Sequence, residues 1–326
     1  MAGPRSVPAV LSGGGGFAGG TMRVLVTQDI DQAGLSILSR AGLDVDVVSS
    51  EAPIADLVLR FRVRGCDALL SMLTDTVDAE LMDAAPLKVI SQHAVGVNNI
   101  DLEAARSRQI VVTNTPGVLT AATADFTMAL LLGLGRNLLA GDAMVRNGGF
   151  HGWHPTMLCG LDLEGARLGI IGLGRIGMAV KTRAEAFGME VVHHSRSGGI
   201  PLDELLETSD VVSLHCPLTA STHHLMDAAA LAKMKPGSLL INTARGPVVD
   251  EQALAEALRT RHLGGAGLDV FEAEPRVHPG LLELPNVLLA PHLGSATVRT
   301  RRKMAVMAAS DLVSVLTGRA PVHRVV

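Results

Sequence analysis

The sequence predicts an α/β protein with two parallel β-sheets, each covered by helices on both faces. Apolar residues make up 48% of the 326 residues and the mean hydropathy is +0.33, which supplies enough apolar material for sizeable cores. Short apolar runs alternate with helix-like amphipathic segments along most of the chain, a pattern typical of parallel sheets. At roughly 150 residues per domain, a chain of this length forms about two domains.

The first series of elements begins directly after Met22. The predicted strands are 23–27, 44–48, 67–71, 88–92 and 110–113, and the predicted helices are 31–41, 53–62, 78–84 and 101–107. Residues 1–21 differ from this series because they are rich in glycine, contain two prolines and have little to bury. Glycines also interrupt the apolar stretch that a signal peptide needs. We therefore expect residues 1–21 to form a flexible leader.

A long helical segment, 121–146, leads into a second alternating series. Its predicted strands are 167–171, 189–194, 210–214, 238–242, 264–268 and 287–290, and helices separate most of them. A last helical segment, 297–317, follows. This second series is the larger one, so the sequence predicts a second and larger α/β domain.

Charge, hydropathy and cysteine usage exclude several classes of protein. The net charge of −4 and a pI near 6.3 argue against nucleic acid as a partner. The longest apolar runs, such as 128–134, fall well short of the ~20 residues that a membrane span needs. Cys66, Cys159 and Cys216 are odd in number and form no CxxC pair, which predicts a cytoplasmic protein without a disulfide scaffold. The histidines lack the spacing of metal ligands, so we predict no metal site.

A glycine-rich turn, Gly172–Gly177, follows the apolar strand 167–171 and begins a helix. This context favours a dinucleotide-binding turn, with Gly172 for the tight turn, Gly174 for close approach of the pyrophosphate and Gly177 for helix packing. The pyrophosphate then binds N–H groups at the positive end of the helix. The predicted cofactor-binding residues here are Gly172, Leu173, Gly174, Arg175, Ile176 and Gly177.

The residues that select between NAD and NADP follow the next strand. A site for NAD carries an acidic residue about 20 residues beyond the glycine turn, but residues 193–197 contain none. Ser195, Arg196 and Ser197 stand there instead, and a guanidinium between two hydroxyls suits a 2′-phosphate. We predict that NADP is preferred and NAD is possible. The alternative is that Arg196 stacks on adenine or faces solvent, which leaves an enzyme of dual specificity.

Three chemically distinct side chains follow the later strands of the second series. Arg245, Glu274 and His292 lie after predicted strands, and the carboxyl ends of parallel strands meet at one edge of a sheet. Reduction of a 2-oxo acid needs a bidentate cation for the carboxylate and a proton donor for the developing alkoxide. A carboxylate that keeps a histidine protonated completes the set. We therefore predict that these three residues are catalytic, and that Arg245 and His292 also bind the substrate.

With these residues in this order, the sequence resembles the D-2-hydroxyacid dehydrogenase family, and within it the glyoxylate/hydroxypyruvate reductases. The resemblance extends from Met22 to Val326. It rests on six motifs in order, Ala94–Asp101, Thr113–Gly117, Gly172–Gly177, Asn242–Gly246, Gly267–Pro275 and Pro291–Thr297. One position departs from the pattern, because Asn98 stands where the family usually has an aspartate; we expect no catalytic loss from it.

The resemblance implies a Rossmann-type nucleotide domain, 119–296, inserted in a flavodoxin-like substrate domain made of 22–118 with 297–326. It implies that backbone N–H groups of Val95 and Gly96 bind the substrate carboxylate. It also implies a homodimer, and cofactor contacts from four further residues, namely Thr123, Cys216, Thr243 and Asp269.

Several functions remain open on this scaffold. The first is a reductase that transfers hydride to a small 2-oxo acid and yields the D-2-hydroxy acid. A dehydrogenase of 2-ketogluconate or of phosphite needs a similar arginine and base. A catalytically silent, nucleotide-sensing corepressor can share the fold, since fold alone does not determine function. The presence of Arg245, Glu274 and His292 favours the enzyme, while the identity of the 2-oxo acid stays open.

Overall fold

The computed structural model describes residues 20–50 and 52–326, so residues 1–19 of the predicted leader lie outside the described residues. The chain forms two compact units. The first contains the described residues up to Thr115 together with Arg302–Val326, and the second is Pro116–Arg301. The second unit is therefore inserted in the chain of the first.

The first unit has a five-stranded parallel sheet. Its strands are β1 Arg23–Val26, β2 Asp44–Val47, β3 Ala68–Ser71, β4 Val89–Gln92 and β5 Val111–Thr113, and its helices are α1 Gln32–Arg40, α2 Asp56–Arg62, α3 Ala79–Asp83 and α4 Leu102–Ser107. The strand order β2-β1-β3-β4-β5 is the flavodoxin-like order. Aspartate side chains accept hydrogen bonds from backbone N–H groups at the starts of α1, α3 and α4. The predicted elements of the first series are thus confirmed.

The second unit has a seven-stranded sheet. Its strands are β6 Arg167–Ile171, β7 Glu190–Ser195, β8 Gly198–Gly199, β9 Val211–Leu214, β10 Leu239–Asn242, β11 Gly265–Leu268 and β12 Val287–Leu289. Its helices are α5 Thr120–Gly135, α6 Leu138–Arg146, α7 Arg175–Ala186, α8 Leu202–Thr208, α9 Ala228–Lys233, α10 Glu251–Arg259 and α11 Pro279–Leu282, and α12 Val298–Leu316 runs on into the first unit. The strand order is β12-β11-β10-β9-β6-β7-β8. This is a Rossmann-type order, so the predicted fold class is confirmed.

The segment predicted as one helix, 121–146, is broken into α5 and α6. Asn137, between the two helices, has a φ of 53° and therefore a left-handed backbone conformation. Its side-chain amide donates to the carbonyl oxygens of Leu158 and Cys159, both at 3.2 Å. The prediction of a continuous helix was wrong because these contacts hold Asn137 outside it. No single helix among the described residues has the length and apolarity to cross a membrane, whereas α5 and α6 meet both criteria only as a pair bent by 60°.

Candidate active site

The glycine turn between β6 and α7 leaves no room for side chains at two positions. Gly172 has a φ of 96°, and a Cβ there would lie 2.6 Å from the backbone nitrogen of Cys216. A Cβ on Gly177 would lie 2.3 Å from the carbonyl oxygen of Gly172. The backbone of Cys216 and the helix therefore approach the turn as closely as they do only because both residues are glycines.

The space beside Gly174 is open. A Cβ built there would meet no atom within 4 Å among the described residues. Gly174 is the N-cap of α7 and has no side chain to accept from the first N–H groups, which stay available for an anion. Leu173 and Ile176 are half-buried, and Arg175 is exposed at the first helical position. These features fit the pyrophosphate of a dinucleotide.

The turn after β7 is a compact structure closed by its own serines. The hydroxyl of Ser195 donates to the carbonyl oxygen of Gly198 at 3.0 Å and lies 3.1 Å from the hydroxyl of Ser197. The sequence did not predict β8, which pairs antiparallel with β7 here. Arg196 and Ser197 are exposed. The backbone N–H of Gly172 donates to the carbonyl of His194 at 2.9 Å, so this turn lies next to the glycine turn.

The predicted cofactor contacts Thr123 and Thr243 belong to one buried group. Thr127, one turn further along α5, donates its hydroxyl to the carbonyl of Thr123 at 2.8 Å. The Thr127 and Thr243 hydroxyls are 2.9 Å apart, which ties α5 to the residue after β10. Cys216 is also buried and lies beside Gly172 after β9. All these residues stand at the carboxyl ends of strands or on α5, which contacts β10 and β11.

Asp269, the residue after β11, is a buried carboxylate held by backbone donors. It accepts from the N–H of Leu293 at 2.6 Å and from the N–H of Gly294 at 2.8 Å. Burial raises the pKa of Asp269 above its usual value, although both hydrogen bonds and the charge of His292 oppose the shift. A Cβ on Gly294 would lie 3.1 Å from the Asp269 carboxylate and 3.3 Å from Thr123. Asp269 thus adjoins both Thr123 and the segment that carries His292.

His292 and Glu274 form an ion pair. Nδ1 of His292 lies 3.0 Å from Oε2 of Glu274, and 30% and 31% of their side chains are exposed. The carboxylate places a proton on Nδ1, which leaves Nε2 as the atom that can give a proton to a substrate. Burial raises the pKa of Glu274, but bonds from His292 and from the N–H of Phe271 outweigh it and lower the pKa overall. This pair has the chemistry of a proton donor with its stabilising carboxylate.

Arg245 follows β10 and is half-buried. Its guanidinium donates to the carbonyl of Ala244 at 2.7 Å, and the amide of Asn242 donates to the carbonyl of Arg245 at 2.9 Å. Burial lowers the pKa of Arg245 and the charge of Glu274 opposes that shift, yet an arginine stays charged at physiological pH. Arg245 and Glu274 interact electrostatically, so all three predicted catalytic residues belong to one constellation in the second unit.

Val95 and Gly96 lie in the first unit, directly after β4. The carbonyl of Val95 accepts from Asn114 at 2.7 Å, and that of Gly96 accepts from Gln92 at 3.3 Å. Further along the same loop, Asp101 caps α4 by accepting from a backbone N–H. The loop carrying the predicted substrate-binding N–H groups is therefore held at several points.

Sequence reasoning missed residues behind the catalytic constellation. Glu251 is 4% exposed and accepts from two backbone N–H groups on either side of Glu274. Nε2 of His224 bonds to Glu272 in a second histidine–glutamate pair. No motif marks Glu251 or His224, because their partners are backbone groups or distant in the chain. Within the described ranges, histidine, cysteine and acidic side chains form no group of three suited to a metal ion.

Residues 128–294 match the model of the D-isomer specific 2-hydroxyacid dehydrogenase, NAD binding domain. Glyoxylate reductase of Korarchaeum cryptofilum is 46% identical over 92% of this chain and 94% of its own length. The chain belongs to the D-isomer specific 2-hydroxyacid dehydrogenase family. The family places the glycine turn of the second unit in a nicotinamide-binding domain.

Solved structures agree with this assignment. A protein from Thermus thermophilus is 50% identical with a TM-score of 0.90, covering 94% of this chain and all of that one. An NADPH-dependent glyoxylate/hydroxypyruvate reductase from Sinorhizobium meliloti, solved with NADP and malonate, is 35% identical with a TM-score of 0.80 and covers 94% and 97%. The protein is an oxidoreductase acting on CH–OH groups with a nicotinamide cofactor, and a reductase of small 2-oxo acids. The silent corepressor and the phosphite and 2-ketogluconate dehydrogenases are not favoured.

Proposed function

We propose that this D-2-hydroxyacid dehydrogenase reduces glyoxylate and hydroxypyruvate, with NADPH preferred over NADH. The observation that carries the proposal is the bond between His292 and Glu274 with Arg245 in electrostatic contact. These groups supply a proton donor, its stabilising carboxylate and a cation for a 2-oxo acid. Relatives named glyoxylate reductase support the choice of substrate.

In this mechanism the bound nicotinamide supplies the hydride, and the side chains bind, polarise and protonate the substrate. Arg245 binds the substrate carboxylate and polarises the 2-oxo group. Nε2 of His292 donates the proton to the developing alkoxide, while Glu274 stabilises the imidazolium. The backbone N–H groups of Val95 and Gly96 bind the carboxylate, as the family resemblance implies. The roles of all five residues are part of the proposal.

For the cofactor, we propose that the glycine turn 172–177 binds the pyrophosphate and that Thr123, Cys216, Thr243 and Asp269 line the rest of the site. Arg196 reads the 2′-phosphate, with the hydroxyls of Ser195 and Ser197 beside it. The exposure of Arg196 next to the glycine turn supports this role, since a free guanidinium can bind a phosphate bidentately. The NADP bound by the relative from Sinorhizobium meliloti supports it further.

We propose that residues 119–296 form the cofactor domain, and that 22–118 with 297–326 form the substrate domain. We also propose a cytoplasmic location, because Cys66, Cys159 and Cys216 are all free thiols, as expected in a reducing compartment.

A homodimer is the proposed assembly, formed through the second unit. Large apolar side chains are exposed there on α6 and in the segment that follows it, which is typical of an interface. They are Leu138, Leu139, Val145, Phe150 and Trp153, each 49% to 78% exposed. Light scattering should report a dimer for the wild type and a monomer for the double variant Leu139→Glu, Val145→Glu. A mass that is the same for both proteins would contradict this interface.

The substrate proposal is tested with a panel of 2-oxo acids, each assayed with NADPH and with NADH. Glyoxylate and hydroxypyruvate should give the highest kcat/KM in the panel, and the product should be the D-2-hydroxy acid where it is chiral. 2-Ketogluconate is assayed in the same way as a competing substrate, and phosphite, which is oxidised rather than reduced, is assayed with NADP⁺ and NAD⁺. Higher kcat/KM for either of them would reject the proposed substrates while leaving the family assignment intact.

A further inference from the structure

Glu251, the first residue of α10, is a buried carboxylate with two backbone partners. Glu251 is only 4% exposed, and its Oε1 atom accepts from the N–H of Glu272 at 2.7 Å. Oε2 accepts from the N–H of His278 at 3.1 Å. These two amides stand on either side of Glu274 in the chain. One carboxylate therefore holds both ends of the loop that carries the partner of His292.

The segment that leads to Glu251 begins at Arg245. A short 3₁₀ turn, Gly246–Val248, follows Arg245, and Asp250 caps α10 by accepting from Ala253 at 3.0 Å. Glu251 is thus anchored in the cap of a helix. Its bonds join the segment after Arg245 to the loop of Glu274.

Two further contacts join the same segments. A Cβ on Gly246 would lie 1.8 Å from the carbonyl carbon of Phe271, so the two backbones touch directly. The N–H of His224 donates to the carbonyl of Pro247 at 2.8 Å, while Nε2 of His224 bonds to Glu272. The loop of Glu274 is consequently held at Phe271, Glu272 and His278 against the segment after Arg245.

We propose that Glu251 is a positioning residue that holds the loop 271–278 so that Glu274 stays bonded to His292. This inference rests on the proposed role of His292 as proton donor. The Glu251 carboxylate acts through two backbone N–H groups, those of Glu272 and His278. Loss of one acceptor leaves a part-buried N–H unpaired, and the loop relaxes to satisfy it.

Several charged groups act on His292, directly or through a neighbour, and the pH dependence of the rate reflects all of them. Glu274 bonds to it directly, and Asp269 interacts with it electrostatically. Arg245 acts on Glu274, and Arg301 acts on Asp269. Behind the loop lie Glu272 with His224, and Glu251 itself. Because Glu274 is the hydrogen-bonded anion among them, a displaced Glu274 weakens the stabilisation of the imidazolium more than any other single displacement does.

The test compares Glu251→Gln with Glu256→Gln in the full chain. Glu256 lies on the same helix, where it is exposed and pairs with Arg259, so its replacement is a matched control. The rate of reduction at saturating nucleotide is measured across pH. We expect Glu251→Gln to move the alkaline limb to lower pH by about half a unit. The KM for the nucleotide stays unchanged, and Glu256→Gln moves neither quantity.

A double variant separates positioning from general damage. If Glu251 acts through Glu274, the limb in Glu251→Gln, Glu274→Gln lies where it lies in Glu274→Gln alone. Additive shifts, or a Glu251→Gln enzyme that loses thermal stability with an unmoved limb, would overturn the inference. Should Glu251→Gln not fold, Glu251→Asp keeps both acceptors on a shorter stem and should shift the limb less, in the same direction; an unmoved limb there also overturns it.

Two outcomes separate the positioning role of Glu251 from the proposed role of His292 as proton donor. If His292→Asn retains wild-type turnover, the proton-donor assignment itself is wrong. If Glu274→Gln moves the limb and neither Glu251→Gln nor Glu251→Asp does, only the positioning role of Glu251 is lost.

Discussion

The two regions of the second unit to which we assign roles in the proposed reaction are built differently. The proton-donor region, Arg245 with Glu274 and His292, is assembled from segments that follow three different strands and are joined by hydrogen bonds and charge. The cofactor turn, Ser195–Ser197, is one continuous segment closed by bonds among its own residues and Gly198. Its arginine is exposed, whereas the proton-donor region has buried carboxylates around it.

Because the two regions are built differently, substitutions in them should change different properties of the enzyme. A change in the proton-donor region disturbs groups that depend on one another, so it alters the rate and its pH dependence together. A change in the cofactor turn removes an exposed side chain with few intramolecular partners, so it alters the binding of one nucleotide and leaves the rest intact. The predictions below test this separation.

The largest effect is expected for His292→Asn. Without a proton donor for the developing alkoxide, turnover should fall by roughly 10²- to 10⁴-fold. Nucleotide binding, followed by fluorescence titration, should stay at the wild-type value because the cofactor turn is untouched. Turnover within a few-fold of wild type would remove His292 from the mechanism, and weakened nucleotide binding would show that the two regions are not separate.

The next effect is expected for Arg196→Ala in the cofactor turn. Loss of a charged contact worth about 1.5–3 kcal/mol should raise the KM for NADPH by roughly 10- to 100-fold. The KM for NADH should change little, since NADH lacks the 2′-phosphate. Arg259→Ala, which removes an exposed arginine from α10, is the control. Equal effects of Arg196→Ala on both nucleotides would show that Arg196 does not read the 2′-phosphate.

His215, which follows β9 and precedes Cys216, offers a third test, on stability. Burial lowers the pKa of His215 from 6.5 to about 4. The unfolded chain therefore takes up a proton between pH 6.5 and 4 that the folded chain does not, so stability falls as pH falls through this window. The loss should reach about 3 kcal/mol near pH 4.

His215→Gln should make thermal unfolding less dependent on pH in that window. Unfolding midpoints at about pH 7 and about pH 4.5 provide the measurement, and the exposed His151 replaced by glutamine provides the control. The same drop in midpoint for wild type and His215→Gln would mean that His215 carries no such penalty.

The smallest effect is expected for Glu274→Gln. In the proposed mechanism the carboxylate bonded to Nδ1 of His292 stabilises the protonated imidazole, which is the form that donates the proton. Removal of this carboxylate should move the alkaline limb of the reduction rate to lower pH by about one unit. The limb is measured with saturating NADPH, and the KM for NADPH should not change. An unmoved limb would exclude Glu274 from the mechanism and break the contrast between the two regions.

The fold class, the glycine turn and the three candidate catalytic side chains could all be predicted from the sequence. These features are readable because strand alternation, turn glycines and residues at strand ends are local properties that recur in a known order. The lack of an acidic residue in 193–197 can likewise be read from a short stretch of the sequence. The roles of the individual site residues remain proposals, yet their positions followed from the pattern alone.

The contacts that hold these parts in place could not be predicted from the sequence. The break at Asn137 depends on carbonyl groups of Leu158 and Cys159. The strand β8 pairs antiparallel with β7, and the hydroxyl of Ser195 donates to the carbonyl of Gly198 in the same turn. Glu251 lies 21 residues from one of its amide partners and 27 from the other. A carboxylate that bonds to backbone N–H groups can do so whatever side chains those residues carry. The sequence therefore contains no motif from which this interaction could be predicted. Contacts of this kind exist only once the fold has brought distant segments together.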